Sequence, residues 1–280
     1  MVSRSAAAED RATAFGIWSF YMPFGMASMI AISPLLMDAT GSWRGLWVLN
    51  GGLAALAFAG LAACLRGARF GPVATGVPVR IDGITTTISK PGPWALAVGM
   101  GAYSLVYLSS MAFLPTFLIE RQGYDPSTAA LLVGLAVFMN APGCWLGGWL
   151  VSRGTPPWTG IAVAYAAMAV CAAGLYQADI PFALRYALAL ALPFFGGLIP
   201  PIVLSRIQAH APSPVLYGTA VGLVLQVVSI GQFVGPPVMA ALVATSGNWQ
   251  SGAWLTVAAC AAGLGAAAAL RHLDRRAGLR

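Results

Sequence analysis

Eight stretches of this chain are long and apolar enough to cross a lipid bilayer, and nothing else in the sequence constrains the fold as strongly. They run over residues 12–37, 43–65, 94–118, 127–151, 158–176, 181–204, 215–244 and 249–270. A helix needs about 20 such residues to cross the hydrocarbon, and only a helix or a closed barrel leaves no backbone group unpaired there. Apart from Arg44 at a border, Arg185 is the one strong charge within these runs, and it lies near an end. The rest of the composition agrees: 59% of the 280 residues are hydrophobic and 8% are charged. Soluble domains carry about 25% charge to face water. So few charges exclude a soluble enzyme, a disordered chain and a nucleic-acid-binding module. The fold class is all-α, a polytopic membrane bundle of eight transmembrane helices. The residues before Ala12 are polar, with Arg4, Glu9, Asp10 and Arg11, and read as no signal peptide. The four cysteines lie apart in apolar runs, which suggests neither a disulfide framework nor a zinc site.

Basic residues give the orientation. With the N-terminus in the cytoplasm, the inside segments hold twelve Lys and Arg, from Arg4 to Arg280, and the outside segments hold three: Arg44, Arg121 and Arg185. Acidic residues split four and four, as expected of a rule that reads Lys and Arg rather than net charge. Both termini are therefore expected inside, at the inner (plasma) membrane. The longest inside loop, 66–92, is rich in Gly and Pro and reads as a linker. It divides the chain into residues 1–65, a cytoplasmic linker at 66–92, and a six-helix bundle at 93–280.

The ends of the chain resemble each other. A shift of 206 residues sets Gly16 on Gly222, Gly25 on Gly231, and Gly41-Ser42-Trp43 on Gly247-Asn248-Trp249. The second copy follows four spans within residues 93–205, whereas the first follows eleven residues. Residues 1–65 thus read as the remnant of a larger N-terminal bundle. About 110 residues with four further spans are expected before Met1 in a complete member, since repeated halves are common in transporters.

Three motifs carry a resemblance. Gly41-Ser42-Trp43-Arg44 joins the first two spans. Gly148-Trp149-Leu150-Val151-Ser152-Arg153-Gly154 lies on an inside loop. Gly231-Gln232-Phe233-Val234-Gly235-Pro236-Pro237 sits in span seven, with a reduced form, Gly16, Pro23 and Gly25, in span one. Together they resemble spans five to twelve of the twelve-span major facilitator superfamily, with an incomplete N-terminal half. The loop is similar to the family's G-x-x-x-D-R motif, with Ser152 in place of the usual Asp, which puts an Asp-based latch in doubt. The Gly-Pro stretch is similar to the family's helix-packing motif. General likeness points to the cyanate and nitroimidazole transporter branch. The resemblance implies alternating access around a central cavity, lined in part by span three.

Tyr103, Tyr107 and Ser110 share one face of span three by helical spacing. They suit a cavity wall or hydrogen bonding between helices, and both readings stand. Asn140 lies mid-span in span four, and Gln226, Ser229 and Gln232 form a stripe along span seven. Such neutral amides bind a polar ligand or join two helices. Asn50 is expected to face other helices. Arg185, one turn after Pro181, either snorkels outward or contacts an anion at the mouth of the cavity. Span six holds Pro193, Gly196, Gly197, Pro200 and Pro201, a breaker-rich run suited to a bending gate; Gly235-Pro236-Pro237 suits bending or close packing. His210 and His272 read as solvated.

No catalytic triad, metalloprotease motif or phosphate-binding loop is present in the sequence, so no enzyme, ATPase engine, metal site or cofactor is expected. No carboxylate is clearly at membrane depth; Asp38 and Asp179 lie at span borders. The reading is a secondary transporter or facilitator for a small molecule, working in the lipid bilayer, with protons as a candidate coupling ion and no nucleic-acid partner. The rivals are a non-functional truncated fragment, a non-transporting membrane scaffold and an intramembrane enzyme.

Overall fold

The computed structural model describes residues 19–66, 81–177 and 180–278. Gly16, Asp179 and most of the expected linker, at 67–80, lie outside the described residues. The helices are α1 (Tyr21–Thr40), α2 (Arg44–Leu65), α3 (Ile81–Ile88), α4 (Pro91–Gln122), α5 (Pro126–Phe138), α6 (Asn140–Ser152), α7 (Pro157–Leu175), α8 (Phe182–Gly197), α9 (Ile199–His210), α10 (Tyr217–Ser246) and α11 (Gln250–Arg276). Eight membrane-length helical segments result among the described residues, because α5 with α6 and α8 with α9 each make one span. No strand occurs among the described residues.

The local signals explain most boundaries. Proline opens α4, α5 and α7, where its missing N–H costs no helical hydrogen bond. Asp125 caps α5 by accepting hydrogen bonds from the Ser127 and Thr128 N–H groups. The two turns that the repeat predicts share one backbone. Gly41 ends α1 at φ 63°, ψ 11°, and Gly247 ends α10 at φ 64°, ψ 9°. Trp43 and Trp249 then stand at the N-caps of the next helices with nearly the same dihedrals. The positive φ favours glycine at both places.

Three details differ from the sequence expectation. The linker contains a short helix, α3, whose Thr87 is fully buried. Trp94 Nε1 donates to the Ile88 carbonyl and ties α3 to α4. Span four breaks at Met139 and span six at Leu198. Pro200 and Pro201 lie in the first turn of α9, so they start a second helix instead of bending a continuous one. Pro236 and Pro237, by contrast, sit inside an unbroken α10.

The core sits around α4. It packs along α10 and α11, and α7 lies between α11 and α8. Glycine makes the closest contacts. Gly143 and Gly147 of α6 meet the Phe194 and Leu198 carbonyls, and Gly197 meets the Asn140 carbonyl. Gly231 and Gly235 of α10 seat on Gly101, Leu105 and Ser109 of α4. Small residues let membrane helices approach until backbones touch, and packing rather than water exclusion then holds them. Tyr165, fully buried, lies against Gly263 and donates its hydroxyl to the Gly99 carbonyl. The α1 helix runs along α5, with Phe20 and Phe24 against Phe138. The α2 helix buries no residue along its whole length.

Candidate functional site

At mid-depth the bundle holds a polar knot. Asn140, the first residue after the Met139 break, is 4% exposed. Its Nδ2 donates to Tyr103 Oη at 3.0 Å and to the Pro193 carbonyl at 2.9 Å. Its Oδ1 accepts from Cys144 Sγ at 3.5 Å. One side chain thus joins α4, α6 and α8, next to the break in span six. The Tyr103 ring also lies against Gly196, where any added Cβ would strike it. The Tyr107 ring lies tilted by 35° to that of Tyr103, with ring centroids 5.6 Å apart. Its hydroxyl forms no hydrogen bond among the described residues. The spacing that set Tyr103 and Tyr107 on one face puts their rings side by side, and Tyr103 reaches Asn140. In this structure Asn140 and Tyr103 bond to each other, and Tyr107 keeps an uncommitted hydroxyl.

The other candidates lie elsewhere. Gln226 and Gln232 fall on the exposed side of α10, and neither amide hydrogen-bonds among the described residues. Asn50 is exposed too, donating to its own helix at the Leu46 carbonyl, so it does not face other helices. Arg185 does not snorkel. It is buried, its Nη2 donates to the Gln177 and Ile180 carbonyls beyond α7, and its guanidinium lies 5.3 Å from the Phe117 ring centroid. Both carbonyls belong to the connection between α7 and α8, so the guanidinium reaches back toward the border of the span without emerging from the protein. Beside it, Phe113, Phe117 and Tyr176 enclose Trp249. Trp43, the matching residue of the other turn, is 54% exposed, with Arg44 over its ring.

The loop motif makes local contacts. Gly148 is buried, Ser152 Oγ donates to the Trp149 carbonyl, and Arg153 lies over the Trp149 ring. Gly25 has no atom within 4 Å of the place where a Cβ would stand, unlike its repeat counterpart Gly231. Pro200 and Pro201 follow the span-six break, and Gly235 seats α10 on Leu105 and Ser109 of α4.

Sequence reasoning missed a cluster at the arginine-rich end, where α6, α9 and α11 finish. Asp274, only 3% exposed, shares a hydrogen bond with His210 Nε2 and forms an ion pair with Arg206 Nη2, each at 2.9 Å. His210 is therefore not solvated: its ring lies against Gly92 at the start of α4. The pairing spans 64 residues, so no local spacing shows it. The Gly143/Gly147 pair was open to discovery, because a small-x-x-x-small spacing in an apolar run marks a helix contact.

The arrangement is a helical membrane bundle with a buried neutral polar centre beside a broken helix. The family model of the Major Facilitator Superfamily matches residues 1–224, and the chain belongs to this superfamily. It is 28% identical over 255 residues to Monocarboxylate transporter 13 of Bos taurus, covering 88% of this chain and 57% of that protein. It is 24% identical over 212 residues to Monocarboxylate transporter 13 of Rattus norvegicus, covering 71% of this chain and 49% of that one. The chain thus spans about half the length of the curated relatives it matches. Among solved structures, the E. coli fucose:proton symporter matches with a TM-score of 0.68 at 17% identity, over 94% of this chain and 70% of that one. A second structure, described as a Major Facilitator Superfamily transporter, FucP, in the outward conformation, matches with a TM-score of 0.66 at 18% identity, over 94% of this chain and 69% of that one. The fold is therefore that of the superfamily, and the protein is a multi-pass membrane protein.

Proposed function

We propose that the chain moves a small polar organic solute across the membrane as a secondary transporter, by alternating access around the Tyr103–Tyr107–Asn140 centre. The observation that carries this reading is the free Tyr107 hydroxyl at mid-span, on the ring that neighbours Tyr103, whose own hydroxyl holds the Asn140 amide. Buried polar groups at that depth are costly unless they bond to one another or to a ligand. Tyr107 would bind solute, and Asn140 and Tyr103 would exchange their mutual bond for contacts to it. Span six, broken at Leu198, would supply the moving element, with Pro200 and Pro201 starting its second half. Gln226 and Gln232 would face a second wall of the cavity.

The solute reading follows from charge. Among the described residues, Arg185 is engaged with backbone carbonyls and Arg206 with Asp274. The mid-depth contacts are neutral hydroxyls and carboxamides, which suit a hydroxyl-bearing neutral solute better than a carboxylate. The relatives' names, a monocarboxylate transporter and a fucose:proton symporter, bracket these two classes. We assign the arginine-rich end to the cytoplasm of the inner membrane, on the asymmetry of Lys and Arg. We retain the division into residues 1–65, 66–92 and 93–280, and protons as the coupling ion. Counterflow in proteoliposomes tests the reading: a labelled neutral sugar or polyol should exchange faster than a labelled monocarboxylate. Tyr107→Phe should raise the KM several-fold without lowering the Tm. Exchange no faster than in empty liposomes for both classes would end it.

A further inference from the structure

We propose that α3 lies in the membrane surface as an in-plane anchor, with Ile84 and Ile88 dipped into the boundary between lipid headgroups and acyl chains. The occupant of its apolar face is the bilayer itself, at the border where α4 enters. Successive helical residues turn by about 100°, so the eight residues of α3 present three sides. Gly83 and Thr87 make the protein side. Thr87 is fully buried and donates Oγ1 to the Gly83 carbonyl at 2.8 Å, and Gly83 lies against Leu216, just before α10. Ile84 and Ile88 make the second side, about 100° further round, and both are exposed. Asp82, Thr85 and Thr86 fill the third, and all three are exposed. A short helix with one apolar and one polar side, both uncovered, suits a place flat in the membrane–water boundary, one side in lipid and the other in water.

Two features of α4 favour lipid as the occupant. Ser89 and Lys90 alone separate α3 from α4, so Ile88 stands within about 11 Å of the first residue of that membrane-length helix. The polar layer of a bilayer is about 5–8 Å deep on each side, which leaves α3 no room to stand clear of it at this end. The second feature is continuity. Trp94 and Val98, one turn apart on α4, are exposed as well, and Trp94 Nε1 donates to the Ile88 carbonyl. Ile84, Ile88, Trp94 and Val98 thus form one apolar strip from α3 onto the uncovered side of the span. Tryptophan is enriched at this depth because its ring sits in the apolar layer while its N–H reaches a polar group. Here that group is the last carbonyl of α3. Lys90 between the two helices is exposed, and its long stem can lie along lipid while the ammonium reaches the headgroups. The single charge within α3, Asp82, falls on the polar side. The hold therefore comes from apolar area rather than from lipid charge. It fixes the depth at which the linker meets α4.

The test uses the full chain in phosphatidylcholine proteoliposomes, with Cys64→Ala to remove the exposed cysteine; the other three are buried. Ile84→Cys, Ile88→Cys, Thr85→Cys and Thr86→Cys each carry one nitroxide label. Power saturation reads collisions with molecular oxygen, which concentrates among acyl chains, and with a nickel chelate, which stays in the water on both sides of the membrane. The oxygen-to-nickel ratio at Ile84→Cys and Ile88→Cys should exceed that at Thr85→Cys and Thr86→Cys several-fold. Equal ratios at the four positions would put the whole helix in water and overturn the proposal. Low collision rates with both probes at Ile84→Cys and Ile88→Cys would mean cover by protein, from a second copy or another segment, and would overturn it as well. All four side chains are exposed, so the variants should fold, and two positions on each side let the comparison stand if one does not. The measurement needs no solute, so its failure would leave the transporter reading to the counterflow assay.

Discussion

Asn140 shows how much one side chain holds. Its two donated bonds cross to different helices, and membrane hydrogen bonds of this kind average about 0.6 kcal/mol. Asn140→Ala removes both and leaves a small void, so the expected loss is about 1–3 kcal/mol, read from denaturant or thermal unfolding in detergent. Tyr103→Phe should cost less. The double variant should cost less than the sum of the two, since both single variants break one shared bond; strict additivity would contradict the pairing. A second residue-scale expectation concerns Asp125, outside the membrane span. Hydrogen bonds from the Thr128 side chain, then its N–H and that of Ser127, hold the carboxyl below its usual range. A depressed value means the cap stabilises α5 above the ordinary carboxylate range and loses this as pH falls through the lowered value. Asp125→Ala should therefore lower the Tm near neutral pH, and the gap from the parent should close below about pH 3. A constant gap would point to packing instead. Tyr103 and Tyr107 were legible because helical spacing is local. The partner of His210 was not, because Asp274 arrives from another helix 64 residues on.

At the scale of elements, the glycines divide into two kinds. At Gly197 and Gly143 an added Cβ would strike backbone carbonyls that cannot move aside. Gly197→Ala should sharply reduce folded protein, seen as loss of the monodisperse peak in size-exclusion chromatography. At Gly51 and Gly222 there is open space, so alanine there should be neutral or gain up to about 1 kcal/mol of helix propensity. If both kinds behaved alike, close packing would not be what these positions do. The sequence displayed the spans and both Gly-x-Trp turns, because hydropathy and a positive-φ glycine leave local marks. It did not display the breaks at Met139 and Leu198. Pro200 and Pro201 read equally well as a kink or as a fresh helix start, and packing against Gly143 and Gly147 decides for the second.

For the whole molecule, sidedness is the property most open to a direct test. On the asymmetry of basic residues, the end bearing α3 is expected in the cytoplasm. A cysteine at Thr85, exposed on α3, should resist an impermeant thiol reagent in intact cells. One at Gln122, at the far end of α4, should react, and the reverse pattern would invert the topology. The bare helix α2 carries a different consequence. Its 22 residues make a rod of about 33 Å, slightly longer than a hydrocarbon layer of about 30 Å. Among the described residues α1 meets it and none of its side chains is buried, so lipids take a large share in setting its tilt. In thin bilayers α2 should lean and in thick ones stand upright, while the spans locked around α4 keep their angles. Acyl-chain length thus becomes a mechanical input to this molecule, entering through its second helix.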